Sequence, residues 1–580
     1  MCAHATVKMP VMMERRSLLL CALAAPAALP FIRHARAADL PRFELGVASG
    51  TPRPHSVVLW TRLSGPNLAP KVEVQWELAH DEAFTRIAAR GVEVALQDEA
   101  HSVHAEPRNL EPARSYWYRF TALGQQSGVG HTRTSPAPDA VVNELRFAIA
   151  SCQRWDHGQW AAWRHMANDP PELMLFLGDY IYEAATSPAA AGSPRAHRGG
   201  PVRTLAGYRD RYAQYKSDPA LQAAHAACPW LMVWDDHEVE NDYAGLQGQR
   251  LQLEFERQRA EAYQAYWEHM PLPRGVKPLT HHMSMHSRLD WGRLARIQLL
   301  DDRQYRNPQA CPKPFRGGSN IVRASDCTEL QDPQRTMLGA AQEAWLAEGW
   351  SLDRPWNLLA QQTLMAPYSR SSLGTLAHPD GSYWTDGWDG YPAARERLLR
   401  TVAQRQVPGT VVLGGDVHAN FVADLRVNAR DERTPIVASE FCGSSISSHG
   451  VKQSTTDKYR AFNPHLHYAR SDERGTQRFV LRPQQLQAAI HAVDEPMDAQ
   501  SAEHVIAKSA PNSLWLRRAL GCNGIGGNGR SCGATCGFGR QPHHDECCAG
   551  RDRCQHQHQR LKTRLLDDRP QRPHGQGAGA

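Results

Sequence analysis

Six short apolar runs, separated by segments of helical pattern, restrict the fold of this 580-residue chain more than any other feature of its sequence. The runs lie at residues 145–150, 173–177, 230–234, 294–300, 356–360 and 410–413. Helical patterns occupy parts of the intervening sequence, for example 252–267 and 339–348. Short apolar strands that alternate with helices are typical of sheets covered on both faces. The region from 143 to 505 is therefore predicted to be a layered α/β (α+β) domain.

The preceding region has a different pattern. Residues 42–136 contain short segments such as 56–60, 72–76 and 116–120, which alternate or run apolar and are bounded by Gly, Pro and Asp. Closely spaced short strands with turn residues between them are typical of a small β-sandwich. We therefore expect an N-terminal β-sandwich domain over 42–136, joined to the second domain by a proline-containing linker.

The N-terminus has the features of an export signal over residues 1–38. Arg15 and Arg16 precede an apolar stretch at 18–32, and a small-x-small site ends at Ala37. The alternative is a membrane anchor, but the stretch is short for a bilayer span. The paired arginines indicate the twin-arginine export machinery, with cleavage near Ala37 and a periplasmic or secreted product.

The last residues, 506–580, are rich in Gly, Arg, His, Gln and Cys and show no periodicity. Such a segment cannot bury enough apolar surface to fold alone, so a low-complexity, disordered tail is predicted. Zinc binding is the alternative, although the spacing of Cys532 and Cys536 is a weak signal for it. In the body of the chain, Cys311 and Cys327 flank a polar loop and are expected to pair as a disulfide.

Charge gives little functional information. The net charge of +6 arises from 66 Lys and Arg against 60 Asp and Glu, which is small for this length. It supports no nucleic-acid-binding module. After the N-terminal segment, no apolar run is long enough to cross a bilayer.

Side chains that bind metals follow four of the six apolar runs. These side chains lie in segments 151–153, 178–183, 235–238 and 414–418. Ligands bind outside the carboxyl ends of strands in open α/β sheets, so the four segments are expected to converge on one pocket. Taken singly, each Asp could be a turn former, Cys152 a buried apolar residue and His418 a core histidine. The joint pattern favours a metal site.

Three motifs carry a family resemblance. Gly178-Asp179-x-x-Tyr182, Trp234-Asp235-Asp236-His237-Glu238 and Gly415-Asp416-Val417-His418 resemble motifs of the PhoD-like alkaline phosphatases, a branch of the metallophosphoesterases. Further likeness lies at 208–212, 302–306, 360–362, 388–391 and 440–443, and the resemblance spans about 42–505. It implies a metallophosphoesterase-type layered sandwich preceded by a fibronectin- or Ig-like β-sandwich.

The resemblance also implies a ferric ion together with calcium. The implied iron ligands are Cys152, Asp179, Tyr182 and His418. Asp179 would bridge to calcium, with Asp236 and Asp416 as further ligands, and Asp235 and Asn241 could serve a second calcium. Thiolate, phenolate and imidazole suit iron, whereas carboxylate and amide oxygens suit calcium.

The predicted function is that of an exported, metal-dependent alkaline phosphatase that hydrolyses phosphate esters. His237 is expected near the leaving group as a general acid; alternatively it orients Asp236. Arg209 or Arg303 could grip the phosphate bidentately, or either could form a structural ion pair.

Two other functions are compatible with the sequence. The first is a phosphodiesterase or phospholipase D-type enzyme of the same family, in which aromatic residues at 383–391 would line a groove rather than pack in the core. The second is an extracellular phosphate- or glycan-binding protein without turnover.

Overall fold

Two large sheets organise the part of the chain that the computed structural model describes, namely residues 42–186, 195–373, 380–428, 431 and 433–508. The predicted signal peptide lies outside these residues, as does the predicted tail beyond residue 508. Within the described ranges, no helix is both long enough and apolar enough to cross a membrane.

The strands of these ranges are numbered in chain order. They are β1 (Val47–Arg53), β2 (Ser56–Arg62), β3 (Lys71–Ala79), β4 (Ile87–Leu96), β5 (Ser102–Ala105), β6 (Ser115–Ala122), β7 (Gln125–Gln126), β8 (Gly130–Arg133), β9 (Leu145–Ala150), β10 (Leu173–Leu177), β11 (Trp230–Val233), β12 (Ser287–Trp291), β13 (Ala295–Leu299), β14 (Ile321–Arg323), β15 (Trp356–Ala360), β16 (Ser382–Trp384), β17 (Thr410–Gly414), β18 (Asn420–Arg426), β19 (Ile436–Cys442), β20 (Leu466–Arg470), β21 (Gly475–Arg482), β22 (Gln485–Val493) and β23 (Glu503–Lys508).

The α-helices are numbered in the same way. They are α1 (Ala161–Asn168), α2 (Leu205–Lys216), α3 (Pro219–Ala227), α4 (Phe255–His269), α5 (Gly339–Gly349), α6 (Pro392–Gln404) and α7 (Gln453–Arg460). Local chemistry sets some of their starts. The Thr204 side chain accepts a hydrogen bond from the Gly207 N–H before α2, and Asp218 does the same for the Leu221 N–H before α3. Both are N-cap bonds, which satisfy backbone donors that the first helical turn leaves free.

The first sheet has nine strands in the order β23-β22-β21-β9-β10-β11-β1-β2-β5. Its central strands β9, β10, β11 and β1 are parallel. The second sheet has seven strands in the order β12-β13-β15-β17-β19-β18-β20, and β13, β15, β17 and β19 are parallel. The six apolar runs of the sequence form strands β9, β10, β11, β13, β15 and β17 of these two parallel centres, so the carboxyl ends of neighbouring strands lie side by side.

The two sheets share one apolar core. Phe147 of β9 and Phe479 of β21 stack with ring centroids 4.7 Å apart, and both belong to the first sheet. Phe441, on β19 of the second sheet, meets Phe479 edge-on at 5.4 Å. The sheets therefore face each other as layers of a sandwich, which confirms the predicted fold class.

The N-terminal strands do not form a separate sheet system. Strands β1, β2 and β5 extend the nine-stranded sheet, and Gly50 of β1 pairs with Trp230 of β11. Strands β3, β4, β6, β7 and β8 form a second layer, and an apolar cluster that includes Leu59 and Tyr118 lies between the layers. One sheet thus crosses the domain boundary expected near residue 140.

Two further features concern the edges of the fold. The structure joins Cys311 to Cys327, which confirms the expected disulfide. Strand β23 pairs with β22 and ends at Lys508, three residues beyond the predicted domain end at 505.

Candidate metal centre

The ends of strands from both sheets converge on one buried cluster. One ligand atom each of Cys152, Asp179 and His418 lie within 4.8 Å of one another. The Tyr182 hydroxyl donates to Asp179 Oδ2 at 2.7 Å and lies 3.2 Å from His418 Nε2. The structure therefore brings together the four residues that the sequence marked as one ligand set.

A carboxylate cluster adjoins this group. Ligand oxygens of Asp235, Asp236 and Asp416 lie within 4.8 Å of one another, and Asp179 and His237 meet the same limit with Asp236. Asp179 belongs to both groups, which gives it the position of a bridging residue. The hydrogen bond that Asn241 forms among the described residues is made by its backbone rather than its side chain. Its N–H donates to Glu183 Oε1 at 3.0 Å.

Unusual backbone conformations present these side chains. Cys152, Asp179, Asp416 and His418 have φ values of 59°, 59°, 65° and 52°. Non-glycine residues avoid this left-handed region, and those that occupy it concentrate at functional sites. Gly178 has a φ of 101°, and a Cβ there would lie 2.4 Å from the Asp235 Cβ, so only glycine lets the two strand ends approach this closely.

The buried carboxylate of Glu238 ties these two strand ends together. It accepts the backbone N–H groups of Asp179 at 3.0 Å, Tyr180 at 2.6 Å and Asp235 at 2.8 Å. Asp179 and Tyr180 follow β10, whereas Asp235 follows β11. One side chain thus fixes the spacing of two predicted metal ligands.

His237 lies beside the cluster and is held by Glu183. Its Nδ1 is 2.7 Å from Glu183 Oε2, and its ring centroid is 4.1 Å from that of Tyr182. Burial lowers the pKa of His237, but the charges of Glu183, Asp179 and Asp236 outweigh it and hold the pKa well above its ordinary value. The backbone N–H of His237 also donates to Asp236 Oδ1 at 3.0 Å. The predicted role of the side chain, as a general acid or in orienting Asp236, stays a prediction.

Arg303 is a buried cation among the carboxylates. It donates to Asp235 Oδ1 and, at 2.9 Å, to Asp386 Oδ1. Its guanidinium also lies 3.7 Å from Asp236 Oδ2 and 4.0 Å from Asp416 Oδ2. The Arg303 Nη2 atom is nevertheless buried without a hydrogen-bond partner among the described residues, so these contacts do not engage the whole guanidinium.

Arg209 has a different environment. Its guanidinium donates to both carboxylate oxygens of Glu268, at 2.7 and 2.5 Å, and to the carbonyl of Asp98 at 2.7 Å. These contacts are those of a structural ion pair between α2 and α4. Its predicted role as a phosphate grip stays a prediction.

Comparison with known proteins identifies the family. The chain matches the PhoD-like phosphatase family over residues 147–490 and its N-terminal domain family over residues 27–136. It is 43% identical over 461 residues to alkaline phosphatase D of Bacillus subtilis (strain 168), which covers 77% of this chain and 76% of that protein. The chain belongs to the PhoD-like phosphatase family. The expected resemblance and enzyme class, a phosphoric ester hydrolase, are thereby confirmed.

A solved structure of PhoD supports the same assignment. It is 40% identical to this PhoD-like phosphatase, with a TM-score of 0.75, and the match covers 80% of this chain and 90% of that one. The likeness therefore extends over both large sheets as well as the motifs.

The electrostatics of this PhoD-like phosphatase fit a site for cations. Burial raises the pKa values of the Asp179 and Asp416 carboxyls well above their ordinary range, and it raises the pKa of Asp235 to about 6. Asp235 Oδ2 is buried and has no hydrogen-bond partner among the described residues. Among the described residues, Arg303, Arg306 and His237 oppose these carboxylates, which also repel one another, so a bound cation would help all of them to ionise.

The donor set also fits the expected metals. Burial lowers the pKa of His418 to about 3, which keeps the imidazole neutral, as metal binding requires. Its Nδ1 lies 2.9 Å from the His449 carbonyl, which fixes the tautomer that exposes the Nε2 lone pair next to Tyr182. Thiol, phenol, imidazole and carboxylate form one group suited to iron, and the adjoining carboxylates form an oxygen-rich group suited to calcium.

Sequence reasoning assigned no role to several residues of the site. Glu238 lies inside the motif 234–238 and Glu183 directly follows the motif 178–182, so both residues were visible although their partners were not. Asp242 and Asp386 form a further cluster with Asp236, within 4.8 Å. Asp386 comes from a loop more than 140 residues away in sequence, and no local pattern indicates its approach.

Proposed function

We propose that this PhoD-like phosphatase is an exported, metal-dependent alkaline phosphatase, with iron and calcium in the cluster described above. The observation that carries the proposal is the convergence of a thiol, a phenol, an imidazole and four carboxylates from the ends of β9, β10, β11 and β17. The name of the Bacillus subtilis relative supports the alkaline phosphatase activity. The N-terminal sequence supports export through the twin-arginine machinery to the periplasm or the medium.

The proposed ligand assignment follows the two donor groups. Cys152, Asp179, Tyr182 and His418 would hold ferric iron. Asp179, Asp236 and Asp416 would hold calcium, and Asp235 with Asn241 would serve a second calcium. When bound, these ions would neutralise the phosphoryl oxygens and make a nucleophile available at working pH.

The chain's own residues organise the reaction around those ions. Glu183 accepts the Nδ1 proton of His237, so the proton on Nε2 is the one that His237 can deliver to the leaving alkoxide. The charges of the neighbouring carboxylates raise the pKa of His237 well above its ordinary value despite its burial, which favours the protonated ring. Glu238 keeps the ends of β10 and β11 at a fixed separation while ester and product exchange.

The structure offers no specific support for a diesterase or phospholipase D-type activity at 383–391. Tyr383, Trp388 and Tyr391 are buried, and the Trp388 Nε1–H donates to the Gln361 side chain at 3.1 Å. These residues pack in the core rather than line a groove. Because the chain belongs to an enzyme family, we do not retain the alternative of a phosphate- or glycan-binding protein without turnover.

The test is the release of nitrophenol from nitrophenyl phosphate at alkaline pH, with and without added calcium and after chelation. The proposal predicts release that chelation abolishes and calcium restores. The bis-nitrophenyl diester, assayed in parallel, measures the alternative activity. A folded, metal-loaded sample that cleaves only the diester would replace the monoesterase proposal with the diesterase.

A further inference from the structure

Two exposed loops beside the metal centre carry an apolar and cationic surface that the phosphatase reaction does not use. The first loop, 245–254, precedes α4, and the second is the disulfide-closed loop 311–327. We define the rim surface by the apolar residues and cations of these loops. Its members are Leu246, Leu251, Leu253, Phe315, Arg250, Lys313 and Arg316.

The apolar members are exposed to an unusual degree. The side chains of Phe315 and Leu253 are fully exposed, at 100% and 101%, while Leu246 and Leu251 are 56% and 50% exposed. Single exposed apolar residues are ordinary on protein surfaces, but clusters of them mark interaction sites. The backbone contributes to this exposure, since Leu251 and Phe315 have positive φ values of 55° and 62°. Bulky residues seldom adopt that conformation.

The two loops form one surface. The Gly317 N–H donates to the Gln249 carbonyl at 3.0 Å. A Cβ on Gly317 would lie 3.3 Å from Leu251 Cδ2, so Leu251 packs directly against the second loop. Phe315 and Leu253 lie two residues from these contact points, on adjoining parts of the same surface.

The rim surface is anchored to the metal centre through Asp242. The Asp242 backbone N–H donates to Asp236 Oδ2 at 2.7 Å. Its carboxylate accepts from Gln249 of the first loop at 3.1 Å and from the Ser319 hydroxyl of the second at 2.6 Å. Both loops are therefore held at a short, fixed separation from a predicted metal ligand.

The charges on the rim surface favour one sign of partner. Arg250, Lys313 and Arg316 form no ion pair within 4.0 Å among the described residues. The nearby acidic residue Glu254 is paired with Arg257 at 3.1 Å. Phe315 and Leu253 are fully exposed and have these cations within three residues of them in the sequence, a combination that complements a surface whose interior is apolar and whose exterior is anionic.

We propose that the rim surface docks this phosphatase on an anionic phospholipid bilayer. Phe315 and Leu253 enter the boundary between headgroups and acyl chains, while Arg250, Lys313 and Arg316 meet the lipid phosphates. The contact places the loops that Asp242 anchors at the membrane surface. The proposal concerns binding alone, so it can fail or succeed independently of the phosphatase reaction.

The test compares full-length variants for binding to vesicles of phosphatidylglycerol and phosphatidylcholine. Removing both apolar tips in Phe315→Ser/Leu253→Gln is expected to weaken binding at least ~10-fold, since each buried side chain accounts for about a factor of ten. Lys313→Gln/Arg316→Gln should lose roughly fivefold per cation on anionic vesicles and far less on pure phosphatidylcholine. The matched control Leu123→Gln/Val141→Ser, at positions 53% and 80% exposed, should bind within about twofold of the wild type.

Hydrogen exchange with vesicles present localises the contact. The proposal is supported if vesicles protect residues 246–254 and 311–320 of the wild type from exchange. The Phe315→Ser/Leu253→Gln variant should lose this protection. All variants carry the same N-terminal residues, so any lipid affinity of the apolar stretch 18–32 is common to them. Protection confined to that stretch, or equal binding by the rim and control variants, would overturn the proposal. Unchanged turnover of nitrophenyl phosphate checks that each variant is folded.

Discussion

Arg303→Met is expected to destabilise the metal-free protein by about 3–5 kcal/mol, which is the usual cost of removing one partner from a buried ion pair. The Arg303 side chain is 1% exposed and makes its shortest contacts with Asp235 and Asp386. Methionine fills a similar space but cannot oppose a charge. Among the described residues, Arg303 is the one hydrogen-bond partner of the Asp235 side chain, since Oδ2 has none, and the substitution would remove it.

The loss of stability in Arg303→Met depends on whether each carboxylate keeps another cation after the arginine is removed. Asp386 retains Arg306, at 3.0 Å, whereas Asp235 has no second cation at contact distance among the described residues. The loss should therefore come mainly from Asp235. Arg303→Lys should recover only part of it, because one ammonium cannot repeat the forked contact to two carboxylates.

The assay is urea-induced unfolding of chelator-treated samples, analysed for midpoint and slope together. Arg119→Met is the matched control, since Arg119 pairs with Glu77 at 2.8 Å where both side chains are about 30% exposed, and it should cost at most about 1 kcal/mol. Arg209→Met should leave the KM for nitrophenyl phosphate unchanged if its pair with Glu268 is its only role. A loss below about 1 kcal/mol for Arg303→Met, accompanied by a raised KM, would refute this reasoning and make Arg303 a phosphate ligand.

Three further predictions concern other buried groups. Glu238→Gln should cost about 2 kcal/mol, because its NH2 group replaces one carboxylate oxygen and leaves at least one of the three backbone N–H donors without an acceptor. Glu240→Gln, whose carboxylate accepts from Gln252, should cost less than about 1 kcal/mol in the same urea assay. Replacing Cys311 and Cys327 by Ser should lower the free energy of unfolding by about 3 kcal/mol, as expected for a closed loop with a sequence separation of 16, and a reductant should then have no further effect on the variant. Burial raises the pKa of Glu440 from 4.5 to about 7, so the carboxyl of the unfolded chain ionises first and the free energy of unfolding falls as pH rises through that interval. Relative to Glu440→Gln, the wild type should lose up to about 3 kcal/mol of stability between pH 4.5 and 8. Parallel stability curves for the two proteins would contradict this prediction.

The strands that build the site were predictable because their sequence signal is local. The apolar runs 145–150, 173–177 and 356–360 coincide with β9, β10 and β15 residue for residue. Each is short and apolar, and each is followed directly by Ser, Gly or Gln. Parallel neighbours necessarily place their carboxyl ends together, so convergence of the ligands followed from the strand assignment.

The relations between distant segments were not predictable in the same way. Nothing near Gly50 indicates that β1 pairs with β11 and so joins the N-terminal strands to the nine-stranded sheet. Nothing near Asp386 indicates that it meets Arg303. These contacts depend on which distant segments meet and in which register. A single sequence shows which residues of a strand are apolar, but it does not show which distant segment that strand meets. The same limit hid the carboxylate partners of Arg209 and Arg303.

The strand-end cluster is proposed to hold the metals and to carry the phosphatase reaction. Asp179 tests it most directly, because it belongs to both donor groups and its carboxylate also accepts from Tyr182. Metal content and nitrophenyl phosphate turnover should be measured on the same preparations of the wild type and Asp179→Asn. The account predicts that the folded variant loses bound metal and at least ~100-fold in turnover, which corresponds to about 2.7 kcal/mol. A folded Asp179→Asn protein with wild-type metal content and full activity would contradict it.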